Sequence, residues 1–273
     1  AMSEIVCDFC FHHCHIQEGR TGFCRARRND HGINVCANYG RVTSLAMDPI
    51  EKKPLVHFYP GSRILSVGSY GCNFACPFCQ NASISMSDEN SVQYRSLSAE
   101  ELAEMACAEN DNLGIAFTYN EPSISYEYII DTAIFLKDTD KKIVLVSNGG
   151  VSKSIWEKLL AVTDAVNIDL KGDREYYKEL HGDYDSVHEA IELCSGRCHV
   201  EVTSLIIPGK NDSDAWIEKE AAWLASLDDT IVLHLSRYFP HYHCDIPATP
   251  IETVLRMQKA ANNHLKYVYT GNI

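Results

Sequence analysis

Gly71-Cys72-Asn73-Phe74-Ala75-Cys76-Pro77-Phe78-Cys79-Gln80-Asn81 carries three cysteines spaced C-x3-C-x2-C, just after an apolar, strand-like run at residues 64–67. No fourth cysteine follows within reach of that loop. A cubane of four irons normally takes four thiolates. Three thiolates leave one iron with an open coordination position, the same feature that separates catalytic from structural metal sites. The spacing lacks the repeated C-x2-C of most zinc sites, which favours an iron–sulfur cluster over a zinc knuckle or three unconnected core cysteines.

Beyond this loop, short apolar runs alternate with longer helical periodicity. Strands are expected at 64–69, 114–118, 143–147, 165–170, 199–206, 230–235 and 266–269. Helices are expected between them at 98–109, 124–137, 152–161, 173–181, 186–195, 213–227 and 250–263, the first opened by the capping-box pattern Ser98-Ala-Glu-Glu101. Strands that recur after an intervening helix make right-handed parallel units, so the chain is α/β, an open or partial barrel. Such a sheet carries its site at the carboxyl ends of its strands. The polar motifs fall there: the cysteine loop, Asn120-Glu121-Pro122, Ser147-Asn148-Gly149-Gly150, Asp169-Leu170-Lys171, Pro208-Gly209 and the segment from Arg237 to His243. Polar residues that bunch at successive strand ends mark a shared pocket.

The 273 residues suffice for one substantial core, and 24 Lys plus Arg against 37 Asp plus Glu give a formal charge of −13. That balance repels phosphate backbones and argues against a general nucleic-acid binder. No run approaches a membrane span, and Ala1-Met2-Ser3-Glu4 is not the pattern of a secretory signal, so a cytoplasmic protein is expected. Ahead of the barrel, at 61–273, residues 1–60 form a small Cys-rich lobe and linker with Cys7, Cys10, Cys14 and Cys24 spaced C-x2-C-x3-C-x9-C. A lobe so small and rich in turns cannot hold itself together apolarly, and a metal would close it. Four soft thiolates suit either zinc or a second iron–sulfur cluster. The stretch from Asp48 to Pro60, with prolines at 49, 54 and 60, reads as an extended linker with a solvated charged turn at Glu51-Lys52-Lys53.

Cys72, Cys76 and Cys79, with the aromatic Phe78 before the last of them, resemble the cluster motif of radical S-adenosylmethionine (SAM) enzymes. Cys79-Gln80-Asn81 resembles the Cys-His-Asn of glycyl-radical-enzyme activases such as pyruvate formate-lyase activating enzyme. Closer still is the AmmeMemoRadiSam branch, encoded beside Memo-like and AMMECR-like proteins. Its likeness takes in Asp48-Pro-Ile-Glu-Lys-Lys-Pro54, Asn120-Glu-Pro122, Ser147-Asn-Gly149, Asp169-Leu-Lys171, Ile207-Pro-Gly209 and Ser236-Arg-Tyr-Phe-Pro240.

This resemblance implies a (β/α)6 core of the radical SAM type, a [4Fe-4S] cluster and SAM as cofactors, and a monovalent cation as a further candidate. It implies reductive cleavage of SAM to a 5′-deoxyadenosyl radical that abstracts hydrogen, as in the activases. The implied partners are an electron donor such as flavodoxin or ferredoxin, and a protein substrate or a Memo-like or AMMECR-like protein. By the same resemblance Glu121 accepts from the SAM amino group, and Asn81 and Asn120 belong to the cofactor site. Asp169 holds the ribose or a cation, Lys171 the carboxylate, and Ser147 and Asn148 the ribose or cation. Phe78 lies near adenine, and Pro208 marks the segment that passes it. The activases carry an arginine where this chain has Thr203, and Arg237 and His241 are candidates to replace that charge. The alternatives are unconventional SAM cleavage or group transfer on a small molecule, and a non-catalytic electron-transfer or scaffold protein.

Overall fold

The computed structural model describes residues 3–273; Ala1 and Met2, on which part of the reading of the chain's start falls, lie outside the described residues. The amino-terminal part runs through β1 (Glu4–Val6), β2 (His15–Gln17), β3 (Arg27–Asp30), β4 (Ile33–Cys36), β5 (Arg41–Val42) and β6 (Ser44–Pro49). Then come β7 (Arg63–Gly68), α1 (Ala82–Ser85), β8 (Arg95–Ser96), α2 (Ala99–Ala108), β9 (Asn112–Phe117), α3 (Tyr126–Leu136), β10 (Lys142–Ser147) and α4 (Lys153–Leu159). The chain finishes with β11 (Ala165–Asp169), α5 (Arg174–Glu179), α6 (Tyr184–Cys194), β12 (His199–Ile206), α7 (Asp214–Leu227), β13 (Val232–Arg237), α8 (Ile251–Ala261) and β14 (Val268–Gly271).

Polar residues ahead of the helices satisfy amide groups that have no partner inside the helix. At α2 the Ser98 hydroxyl accepts from the Glu101 N–H while the Glu101 carboxylate accepts from the Ser98 N–H, closing the capping box. At α6 and α7 the cap is one-way: the Asp183 carboxylate accepts from the Ser186 N–H and the Ser213 hydroxyl from the Trp216 N–H.

Eight strands form the central sheet in the order β14-β13-β12-β11-β10-β9-β7-β6. From β7 to β14 every neighbouring pair is parallel. Helices intervene between successive parallel strands, as parallel pairing requires, so six strand–helix units are followed by a closing strand. The edges β6 and β14 are not paired with each other, and the barrel stays open. The inner strands are buried along nearly their whole length, as in β11 and β12, the pattern of a sheet covered on both faces.

The stretch expected to be an extended linker behaves differently. Its beginning belongs to β6, which pairs antiparallel with β7 from Ser44 opposite Gly68 to Pro49 opposite Arg63. Its middle enters the barrel. Ile50 and Leu55 are buried with Ile64, Ala116, Val144 and Ala165. The Asn167 side chain donates to the Pro54 carbonyl at 2.9 Å, and the Glu201 carboxylate accepts from the Val56 and His57 N–H groups at 3.0 and 2.8 Å. Lys53, expected on a solvated turn, is buried, with its ammonium 2.8 Å from Asp48 and 4.6 Å from the centre of the Tyr119 ring. Prolines and a charged block signal exposure in a sequence, but the ion pair and Leu55 make this segment the floor of the barrel.

Ahead of it, antiparallel pairs β1·β2 and β3·β4 build the Cys-rich lobe, and β5 pairs antiparallel with β8 from beyond the cysteine loop. Arg27 fixes the lobe to the barrel: one guanidinium nitrogen donates to both Glu127 oxygens, at 2.7 and 2.9 Å, and to the Ile124 carbonyl at 3.2 Å. Among the described residues no helix is long and apolar enough to cross a membrane.

Candidate active site

The cysteine loop follows β7, and its shape is set from several sides. Gly71 has φ +87°, and a Cβ there would stand 2.5 Å from the Cys24 carbonyl oxygen, so only glycine fits. Asn120, just past β9, accepts from the Ser69 N–H at 3.0 Å and donates to the Tyr70 and Gly71 carbonyls, each at 3.1 Å. Phe74 pins the loop from within; its ring lies where a Cβ on Gly150 would come within 2.5 Å. The Ala75 N–H donates to the Leu180 carbonyl at 2.9 Å, and the His243 N–H donates to the Pro77 carbonyl at 2.8 Å.

These contacts hold Cys72, Cys76 and Cys79 on the wall of a cavity of about 800 Å³, within the range of small-molecule and cofactor sites. No fourth cysteine lines it. The donor set therefore fits a four-iron cluster with one iron left open to a ligand. Burial pushes the Cys72 thiol well above its ordinary range, with Glu121 and Cys76 adding to the shift. Burial also takes Cys76 up to about 12, against the opposing charge of Lys171. Neither thiol ionises readily without a metal.

The strand ends converge on the same cavity. Glu121 is buried, and both its oxygens are engaged. Oε1 accepts from the Ser123 N–H at 3.1 Å, the Ser123 hydroxyl at 2.5 Å and the Ser147 hydroxyl at 2.8 Å, while Oε2 accepts from the Asn148 N–H at 2.7 Å. Burial raises its pKa despite these donors. Glu121 thus clamps the end of β10 to the end of β9. Asn148 extends the clamp to the loop: its side-chain amide donates to Asn73 Oδ1 at 2.9 Å and to the Cys72 sulfur at 3.6 Å. Beyond β11, the Lys171 ammonium lies 2.8 Å from Asp169. Burial opposes its charge, but Asp169 and Cys76 outweigh burial and raise its pKa, so Lys171 is cationic.

Of the residues singled out in the sequence, Cys72, Cys76, Phe78, Cys79, Asn81, Asn120, Glu121, Ser147, Asn148, Asp169 and Lys171 all line this cavity. Pro208, Arg237 and His241 are not on its wall. Arg237 donates from Nε to the Thr249 carbonyl at 2.7 Å and stacks over Phe239, and His241 is exposed. Their loop acts on the site through the backbone contact from His243 to Pro77. The wall also includes Lys53, Thr203, Leu205, His234, Ser236, Tyr269 and Gly271; Lys53, Thr203 and Ser236 stand in stretches noted in the sequence, and the other four do not stand in its site motifs. Period-two pairs such as Thr203 with Leu205 and His234 with Ser236 put alternate side chains on one face; a polar residue at such a position within an apolar strand is the signal available for them.

In the lobe, Cys7, Cys10 and Cys24 are buried and Cys14 is half-buried. Burial, reinforced by the other three cysteines of the group, takes the Cys10 thiol up to about 12.

A family model described as the radical SAM superfamily matches residues 66–224. An uncharacterized protein of Methanocaldococcus jannaschii is 39% identical over 280 residues, covering 99% of this chain and 82% of its own length. In fold, the chain is similar to SuiB of Streptococcus suis bound to S-adenosylmethionine, with a TM-score of 0.60 and 14% identity over 77% of this chain and 52% of that one. It is also similar to a domain of pyruvate-formate lyase-activating enzyme from Bacteroides vulgatus, with a TM-score of 0.51 and 18% identity over 58% of this chain and 99% of that one.

Proposed function

The chain belongs to the radical SAM superfamily, and from that premise we propose that it cleaves SAM reductively and abstracts hydrogen in the manner of glycyl-radical-enzyme activases. The observation that carries this reading is the shared wall: three thiols without a fourth face the same cavity as polar side chains from the ends of β9, β10 and β11. When bound, a [4Fe-4S] cluster and SAM supply the chemistry, one electron breaking a carbon–sulfur bond to give a 5′-deoxyadenosyl radical that takes a hydrogen atom.

The protein's part is to hold and orient. Cys72, Cys76 and Cys79 ligate three irons. Lys171 meets the SAM carboxylate as a buried cation, and Asp169 fixes its ammonium while facing the ribose. Glu121 Oε2 accepts a single hydrogen bond, which leaves a lone pair for an N–H of the SAM amino group. Ser147 and Asn148, locked in place by Glu121, offer polar atoms to the ribose. Phe78 is buried on the same wall and shields the cluster beside adenine. The floor segment, with Ile50 and Leu55 buried, contributes Lys53, Pro54 and Val56 to the cavity wall, a setting that favours the exclusion of water from radical chemistry. The electron comes from a one-electron donor of the flavodoxin or ferredoxin class.

The test is anaerobic. The reconstituted protein is reduced with dithionite in the presence of SAM, and the adenosyl products are identified. The expected product is 5′-deoxyadenosine, absent from the Cys72→Ala variant. Methylthioadenosine instead would mean that a different SAM bond breaks, and intact SAM over a fully loaded, reduced cluster would contradict the proposal.

A further inference from the structure

We propose that Cys7, Cys10, Cys14 and Cys24 hold a second iron–sulfur cluster of the four-iron type, seated against the back of the cysteine loop. Spacing carries this choice. A zinc ion bound at about 2.3 Å by four thiolates in a tetrahedron brings every pair of sulfurs to about 3.8 Å. Among the described residues, the group with three His, Cys, Asp or Glu ligand atoms mutually within 4.8 Å is Glu18, Asp30 and His31, so no three of the four lobe thiols are that close. Cys72, Cys76 and Cys79 share this wider spread. A cubane accounts for the width, because each thiolate binds a different iron.

The surroundings suit anionic sulfur. Asn34 donates its side-chain amide to the Cys7 sulfur at 3.2 Å, the Phe23 N–H donates to Cys14 at 3.4 Å, and the Arg27 N–H donates to Cys24 at 3.4 Å. Amide donors on buried sulfurs are expected around cluster thiolates, whose charge they offset. Arg25, next to Cys24 in the chain, keeps a buried guanidinium nitrogen with no hydrogen-bond partner in the protein. The lobe's short strand pairs bury Phe9, Ile16 and Ala26 in the barrel's core rather than in a core of their own, and ligation by the four thiols would cross-link them.

Two contacts set the lobe site against the loop site. The Cys24 carbonyl fills the space above Gly71, the neighbour of Cys72. His12, between Cys10 and Cys14, has its Nε2 2.8 Å from the Asn73 carbonyl, on the other side of Cys72. The backbones that carry the two sets of thiols therefore touch directly.

The experiment is a metal count on the full chain, reconstituted anaerobically with iron and sulfide in the presence of equimolar zinc. The expected result is about eight irons and about eight acid-labile sulfides per chain, two four-iron clusters, with only trace zinc. About four irons with one zinc, or about four irons and no zinc, overturns the proposal. The Cys72→Ala/Cys76→Ala/Cys79→Ala variant is expected to keep about half the iron and sulfide; loss of all of it from a variant that stays folded by circular dichroism overturns the proposal. Should that variant not fold, electron paramagnetic resonance of the dithionite-reduced wild type decides: two cluster spins per chain are expected, and one overturns the assignment. None of these counts depends on SAM turnover, so failure here and failure of the proposed reaction are told apart.

Discussion

Gly71 is where the cysteine loop and the lobe meet, and a single methyl group there tests their contact. Alanine would have to adopt φ +87° and place its Cβ 2.5 Å from the Cys24 carbonyl oxygen. Backbone strain of this kind costs about 1–3 kcal/mol, and overpacking costs about as much again. Gly71→Ala is therefore expected to lower stability by about 2–5 kcal/mol and to reduce iron bound after reconstitution, read by urea unfolding and iron content. A variant of wild-type stability with full iron would show that the loop and the lobe do not press on one another. At this scale the sequence was legible where chemistry is local. C-x3-C-x2-C needs no tertiary information, and Asn120, Glu121, Asp169 and Lys171 stand beside strand ends in the chain as they do in the fold. The sequence did not show that Glu121 would spend most of its hydrogen-bonding capacity on Ser123, Ser147 and Asn148. That depends on β9 and β10 being neighbours.

Among the elements, the seven parallel strands lie within two residues or so of their expected positions, because buried parallel strands read as nearly continuous apolar runs. The floor segment did not read as buried. Its anchors lie far along the chain, chiefly Glu201 in β12, whose carboxylate also pairs with His199 at 2.9 Å and His234 at 2.6 Å. Burial alone would raise the Glu201 pKa, but His199, His234 and the N–H groups of His57 and Val56 overcome it and bring it down to about 2. The folded state thus keeps Glu201 ionised at a pH where the unfolded chain has taken up a proton. Its stabilisation is fully present above about pH 4.5 and is lost as pH falls toward 2, a contribution on the order of 3 kcal/mol. Urea unfolding at pH 5 and pH 3 is expected to show a larger loss of stability for the wild type than for Glu201→Gln. Equal losses would mean that Glu201 does not anchor the floor through its charge.

For the whole molecule, the open sheet, the floor and the cysteine loop each build one part of the cavity wall. The sheet supplies polar strand ends, the floor supplies Lys53 and Val56, and the loop supplies the thiols. The Arg27 to Glu127 pair and the Gly71 contact tie the lobe to that arrangement. The alternation of strand and helix made the barrel legible in the sequence. How the lobe docks was not, since it rests on contacts such as Arg27 with Glu127 and His12 with Asn73, between residues far apart in the chain. In the proposed reaction the iron left open by Cys72, Cys76 and Cys79 receives the amino group of SAM directly. Electron–nuclear double resonance on the reduced protein, with SAM labelled with 15N at that amino group, decides this. A 15N coupling to a cluster spin, lost in Cys72→Ala, is the predicted result; a reduced, SAM-saturated protein with no such coupling would contradict it.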